Sequence, residues 1–138
     1  MARMTTYNPR KVTCALGNHI VTGFADDSFI SIEYAGDGTS HTEGADGEVV
    51  RSIDPSRLYT VKISLQQNSR TNAYLQKMYE RDQTDGGGAF SVTINDLLGR
   101  EKFVSPVAWV SKPASWGRGK TQNNREWEIV AADGEFKQ

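Results

Sequence analysis

The stretch "RLYTVKISLQ", residues 57 to 66, limits the fold more than any other part of the chain. Tyr59, Val61, Ile63 and Leu65 fall on one side of an extended backbone, and Thr60, Lys62 and Ser64 fall on the other. A period of two suits a sheet with one face in a core and the other wet or shared, and it suits no helix. Weaker versions recur along the chain. "RKVTCAL" (10 to 16) reaches the Gly17-Asn18 pair and turns into "HIVT" as a hairpin. "SFISIEY" (28 to 34) aligns Ile30, Ile32 and Tyr34, and "AFSVTIND" (89 to 96), "EKFVSPVAWVSK" (101 to 112) and "NREWEIVAAD" (124 to 133) complete the set, with Pro106 marking a bend or an edge.

One segment, "NSRTNAYLQKMYERDQ" (68 to 83), has helical spacing. Thr71, Tyr74, Leu75, Met78 and Tyr79 form a single apolar stripe, Asn68 or Ser69 can cap the free amides, and "TDGGGA" ends the run. The 138 residues suit one domain, spanning 1–138 with a flexible N-terminal arm at 1–8. The expected class is mainly β: a β-sandwich or β-barrel of about six to eight strands, with one flanking helix at about 69–82 and a long loop or hairpin at 35–54.

Composition narrows the function by exclusion. A net charge of −1 gives no global attraction to nucleic acid or to an anionic membrane, and no apolar run is long enough to cross a bilayer or to serve as a secretion signal. Cys14, alone, cannot form an internal disulfide, and it reads as a core residue. His19 reads as structural. His41 lies near Glu43 and Asp46 but lacks the further nitrogen or sulfur ligands that zinc needs. Asp37, Glu43, Asp46 and Glu48 do not follow the spacing of a calcium loop. "DGGGAF" follows a helix instead of opening one, so it is no phosphate loop. No catalytic, cofactor or metal residues are assigned, and the chain is not expected to be an enzyme. Trp109 and Trp127 are in phase with apolar strand neighbours and are expected in the core, whereas Trp116, in "PASWGRGK", is expected to be exposed at an interface.

The charges are unevenly distributed. Residues 26 to 54 hold eight of the seventeen acidic side chains (Asp26, Asp27, Glu33, Asp37, Glu43, Asp46, Glu48 and Asp54) against Arg51 alone. Residues 100 to 125 hold Arg100, Lys102, Lys112, Arg118, Lys120 and Arg125 against Glu101 alone. This polarity suggests a head-to-tail interface in which the acidic segment of one copy meets the basic segment of the next, giving rings or open stacks. Exposed ion pairs contribute only about 0 to 1 kcal/mol each, so they would set register, while strand-edge pairing and apolar burial would supply strength. The intersubunit contacts expected on this basis are Glu43, Asp46, Glu48, Arg51, Trp116, Arg118, Lys120 and Arg125, together with Met1 to Asn8.

"YNPRKVTCALGNHIVTGFADDSFISIEY", "GADGEVVRS", "YTVKISLQQNS" and "SPVAWVSKPASWGRGKTQNNREWEIVAAD", in that order, resemble the tail tube proteins of contractile-tailed bacteriophages across residues 7 to 133. The resemblance implies a β-barrel-like fold with a flanking helix, shared with the hemolysin-coregulated protein of type VI secretion. It implies a virion structural protein of the tail, assembled in the host cytoplasm, that forms stacked hexameric rings of the inner tube, the conduit for DNA ejection. Its partners would be itself, the tail sheath protein, and tape-measure and baseplate proteins. Phage DNA would pass through the lumen without specific binding, and no membrane or cofactor would be involved. DNA must not stick, so the lumen is expected to be neutral to acidic, with Thr60, Lys62 and Ser64 candidates to line it and the basic segment turned toward a neighbour. A tail terminator, a baseplate tube-initiation protein or a secretion-tube subunit would share this fold. A carbohydrate-binding β-sandwich module, suggested by Trp116, is the alternative from another class, and a small hydrolase using the acidic cluster is more remote.

Overall fold

A computed structural model describes residues 3–137. The arm expected at 1–8 therefore lies partly outside the described residues. Within it, residues 3–7 are exposed and without regular structure, and Asn8 caps a short 3-10 turn over Pro9–Lys11.

Among the described residues, ten strands and one α-helix follow in chain order: β1 (Val12–Leu16), β2 (His19–Ile20), β3 (Ile30–Tyr34), β4 (Ser40–Glu43), β5 (Val49–Ser52), β6 (Tyr59–Gln66), α1 (Arg70–Asp85), β7 (Phe90–Asp96), β8 (Glu101–Lys112), β9 (Asn124–Ala132) and β10 (Glu135–Lys137). Eight of the strands form one antiparallel sheet in the order β2-β1-β7-β8-β9-β6-β3, with β10 added beside β8. The class is mainly β, as the alternation indicates. A closed barrel is not formed: the strand path ends at β2 and β3, and among the described residues no ladder joins them. The inward side chains of β1, β6, β7, β8 and β9 nevertheless share one core, against which Ile30 and Ile32 of β3 pack. The sheet curls around its own interior.

The alternation read from "RLYTVKISLQ" is realised in β6, where Val61, Ile63 and Leu65 are fully buried and Thr60, Lys62 and Ser64 face the other way. Residues Trp127, Ile129 and Ala131 of β9 lie opposite Ile63, Val61 and Tyr59 and complete this part of the core. Cys14 is also buried, which pushes its thiol pKa up to about 12 and leaves it without thiolate character at neutral pH.

In β8 the sequence reading fails, because Trp109 is only half-buried while Ala108 and Val110 point inward. Phe103 and Ser105 are buried, Pro106 and Val107 are both exposed, and the register against β7 slips between Phe90 and Val92. The extra residue at this bulge inverts the phase downstream of Pro106, which puts Trp109 on the outer face. The Ser105 hydroxyl satisfies the irregular backbone, lying 2.6 Å from the Ala132 carbonyl and 3.0 Å from that of Val107.

Helix α1 closes one end of the core with Thr71, Asn72, Leu75 and Met78. Ser69 is its N-cap, accepting from the Thr71 amide, and Gly86 ends it in the left-handed region at φ 74°. The buried Asn72 side chain fastens the helix to two strands, accepting from Trp127 Nε1 at 2.9 Å and donating to the carbonyls of Gln66 and Gln67. His19 joins the same junction, with Nε2 2.8 Å from Thr71 Oγ1 and its ring stacked on Tyr74. These bonds account for both histidine and asparagine structurally.

Candidate assembly surface

The residues expected at an interface fall at opposite ends of the sheet. Strand β3 leaves the sheet at Tyr34 and β6 re-enters at Tyr59, which is paired with Tyr34, so the whole excursion between them projects from that strand end. Within it, β4 and β5 form a separate two-stranded sheet in which every residue is exposed. The turn at its tip is held by the Gly44 amide donating to Glu48 O and by the Glu48 amide donating to Asp46 Oδ1. Glu43 pairs with Val49, and His41 with Arg51. Three carboxylates thus surround the tip, Arg51 sits nearer the root, and Val49, Val50 and Ile53 expose about 60% of their surface. Among the described residues no group of His, Cys, Asp or Glu is arranged to hold a metal ion.

At the other end of β6, Gln66 pairs with Asn124, and the loop 113–123 packs there. The eight residues of β6 separate the two ends by about 26 Å. Gln67 and this loop exchange two bonds, the Gln67 amide donating to Gln122 Oε1 and the Asn123 amide donating to Gln67 Oε1. Arg125 donates to the carbonyls of Ala114 and Ser115 while its guanidinium lies 5.0 Å from the centre of the Trp127 ring. Burial, and then the nearby Arg118 charge, hold the Arg125 pKa below its ordinary value. Trp116 is 67% exposed, with the Arg118 guanidinium 4.2 Å over its ring. Lys120 is exposed at the turn of the loop.

Two details refine the expected site. The basic segment is not one patch: β8 runs the full height of the sheet, so Arg100 and Lys102 lie at the hairpin end while Arg118, Lys120 and Arg125 lie at the other. Arg125, expected as a contact residue, is engaged by its own chain as the base of the loop. Arg118, Lys120 and Arg70, which opens α1 beside Gln67, are exposed cations of this end. Sequence reasoning also passed over the root of the hairpin. There Tyr34 Oη donates to Asp54 Oδ2 at 2.8 Å and lies 2.8 Å from the Ser56 carbonyl, and Asp54 Oδ1 accepts from the Ser56 amide. "DPS" at 54 to 56 carries the signal, an Asp that bonds the backbone two residues on.

The outer face of the sheet is mixed in charge. Ser31, Lys62 and Glu128 lie side by side across β3, β6 and β9, Glu126 lies beside Ser64, and Glu33 beside Thr60. Lys112 stands opposite Glu128 on β8. On this stretch, across β3, β6, β9 and the end of β8 beside them, three carboxylates stand against two ammonium groups, with Ser and Thr between them, whereas Lys102, Glu135 and Lys137 farther along the face bring its charges level.

Comparison with known proteins places this geometry. The family described as Bacteriophage PhiTE tail tube protein matches residues 10–137. The chain belongs to the phage tail tube family. It is a structural protein of the phage tail. The tail tube chain is also similar to "Structural protein ORF10" of Pseudomonas phage KPP10, with 29% identity over 143 aligned positions covering 98% of this chain and 83% of that one. Among solved structures it resembles the tube-terminating cap of the anti-feeding prophage, with TM-score 0.67, 11% identity and 100% and 95% of the two chains covered. The sheath/tube terminator of the extracellular contractile injection system PVC gives TM-score 0.68 at 11% identity over 99% and 100% of the chains. The sheath-tube complex of that system gives 0.62 at 12% over 96% and 91%. At these identities the structural likeness speaks for the fold.

Proposed function

We propose that this tail tube protein forms stacked hexameric rings, the inner conduit for DNA ejection inside a contractile sheath. The observation that carries the reading is the placement of an acidic, fully exposed hairpin and a basic loop at opposite ends of one strand. Such a monomer is built to meet its own copies head to tail, with the hairpin tip of one copy against Arg118 and Lys120 of another. A lone two-stranded hairpin is marginal in water, so Val49, Val50 and Ile53 gain most by being covered in the assembly. The free edge of β3 offers backbone groups for pairing with a neighbouring sheet.

The outer face carrying Thr60, Lys62 and Ser64 lines the lumen in this reading. The absence of a net basic charge there suits passage of DNA, since a basic lining would bind phosphates through counterion release. The role is mechanical and not enzymatic. The sheath, tape-measure and baseplate proteins are the other partners, and the likeness to a sheath-tube complex supports the contractile setting. A second reading, a tube terminator, is favoured by the likeness to a terminating cap and a sheath/tube terminator.

Negative-stain microscopy of the purified protein separates these readings. Hollow tubes with six-fold rings are expected, isolated rings that never lengthen would favour the terminator, and a dispersed monomer at high concentration would contradict both.

A further inference from the structure

We propose that Tyr34 and Asp54 are positioning residues for assembly, forming a latch that fixes the angle at which the β4–β5 hairpin leaves the sheet. The proposal rests on the head-to-tail reading above. Residues 35–58 leave and rejoin the sheet between Tyr34 and Tyr59, and both roots of the excursion converge on one carboxylate. Asp54 Oδ2 accepts from Tyr34 Oη on the outgoing root, and Oδ1 accepts from the Ser56 amide on the returning one. The same hydroxyl lies 2.8 Å from the Ser56 carbonyl, and the Ala35 amide donates to Leu58 O beside it. The site has no room to spare: a Cβ at Gly36 would stand 2.7 Å from Asp54 Oδ2 and 3.0 Å from the Tyr34 ring. The Tyr34 ring is braced edge-on by Tyr59, with centroids 5.5 Å apart, so the latch is anchored to the sheet itself.

Among the described residues, beyond this clasp the hairpin is held by its own ladder and tip turn, so a small rotation at the root becomes a large displacement at Asp46. Losing the latch raises the concentration needed for assembly, because the free hairpin samples many directions and must be ordered on docking. The core, which lies on the other side of Tyr59, is untouched.

The test uses Tyr34→Phe, which keeps the ring and removes the hydroxyl, and Asp54→Ala in parallel, so that a folding defect in one leaves the other readable. Each is compared with a chain whose residues 39–53 are replaced by a short turn. The expected result is a rise of about fivefold or more in the critical concentration for tube formation for both point variants. Their unfolding midpoints should stay unchanged, and amide exchange in the hairpin should be faster below the assembly threshold. Asp54→Asn, which retains one acceptor oxygen, should fall between them and the wild type. Wild-type assembly by both point variants while the shortened chain fails would overturn the latch and leave the head-to-tail reading standing. Unfolding midpoints that fall in step with assembly would reduce the pair to a structural role and also overturn it. Normal tubes from the shortened chain would overturn both.

Discussion

The hairpin at 40–52 and the loop at 113–123 are both long, polar, glycine-containing excursions, yet the fold treats them oppositely. The loop is sewn down by Arg125, Gln67 and the buried Ala114, and it leans on the junction where Asn72 holds Trp127. Among the described residues the hairpin is tied to the sheet at its root, by the Tyr34–Asp54 clasp and the Ala35–Leu58 backbone bond beside it. One end of the molecule is a socket fixed by its own chain, and the other is an arm whose Val49, Val50 and Ile53 stay exposed in the monomer and which, in the proposed assembly, a partner would cover. Opposite charge on the hairpin tip and the loop would give the proposed pairing a direction.

The largest effect should come from cutting the foundation of the socket. Trp127→Ala removes a fully buried indole and orphans the Asn72 carbonyl oxygen, and it should cost ~3–5 kcal/mol in chemical denaturation. A cost under about 1 kcal/mol would mean that the junction is not what holds this end together. Next, Arg125→Ala should cost about 1–2 kcal/mol and speed amide exchange at Gln122 and Asn123, since it frees two backbone carbonyls and uncovers the Trp127 ring. Unchanged exchange there would erase the distinction between socket and arm.

The arm should respond instead to pH. The Ser56 amide, then the Tyr34 hydroxyl, hold the Asp54 pKa below its ordinary value, so the ionised carboxylate is favoured in the folded hairpin. That contribution is complete above the unfolded pKa and is lost as pH falls through the folded one, which lies in the acid range. The bond to Asp54 raises the Tyr34 pKa, so the other half of the latch is present below the ordinary phenol value and is lost as pH rises through the folded one. Exchange in β4 and β5, corrected for intrinsic rates, should therefore be slowest between these limits and rise at both extremes. A monotonic profile would remove Asp54 from the account. The smallest effect on the monomer belongs to the tip: Asp46→Lys with Glu48→Lys should shift stability by less than about 0.5 kcal/mol while impairing tube growth.

Much of this was legible in the sequence because it follows from local pattern. The alternation of Tyr59, Val61, Ile63 and Leu65 is enough to assign β6 and its two faces, and Ser69 with the glycines after Asp85 brackets α1. Strands β4 and β5 carry no core face, so periodicity could mark 35–54 only as a long loop or hairpin. Strand β10 follows β9 after Asp133 and Gly134 and is three exposed residues, too short to show a pattern. The misplacement of Trp109 has a different origin, since a bulge in β8 adds one residue and reverses the parity of the residues that follow Pro106, a shift that local alternation does not announce. At the candidate site, composition marked the acidic and basic segments. It did not reveal that β8 carries Arg100 and Lys102 to the acidic end, or that Arg125 is turned inward onto its own loop. Those are consequences of strand order, which pairs residues far apart in the chain.

If the acidic arm of one copy meets the basic socket of another, exchanging the charges should first break assembly and then restore it. Tube length by electron microscopy should collapse for Asp46→Lys with Glu48→Lys, and again for Arg118→Glu with Lys120→Glu. When all four substitutions are placed in one chain, every arm and every socket is reversed together and the match is restored, so tubes should return. Normal tubes from either double variant, or no recovery in a folded quadruple variant, would contradict the account.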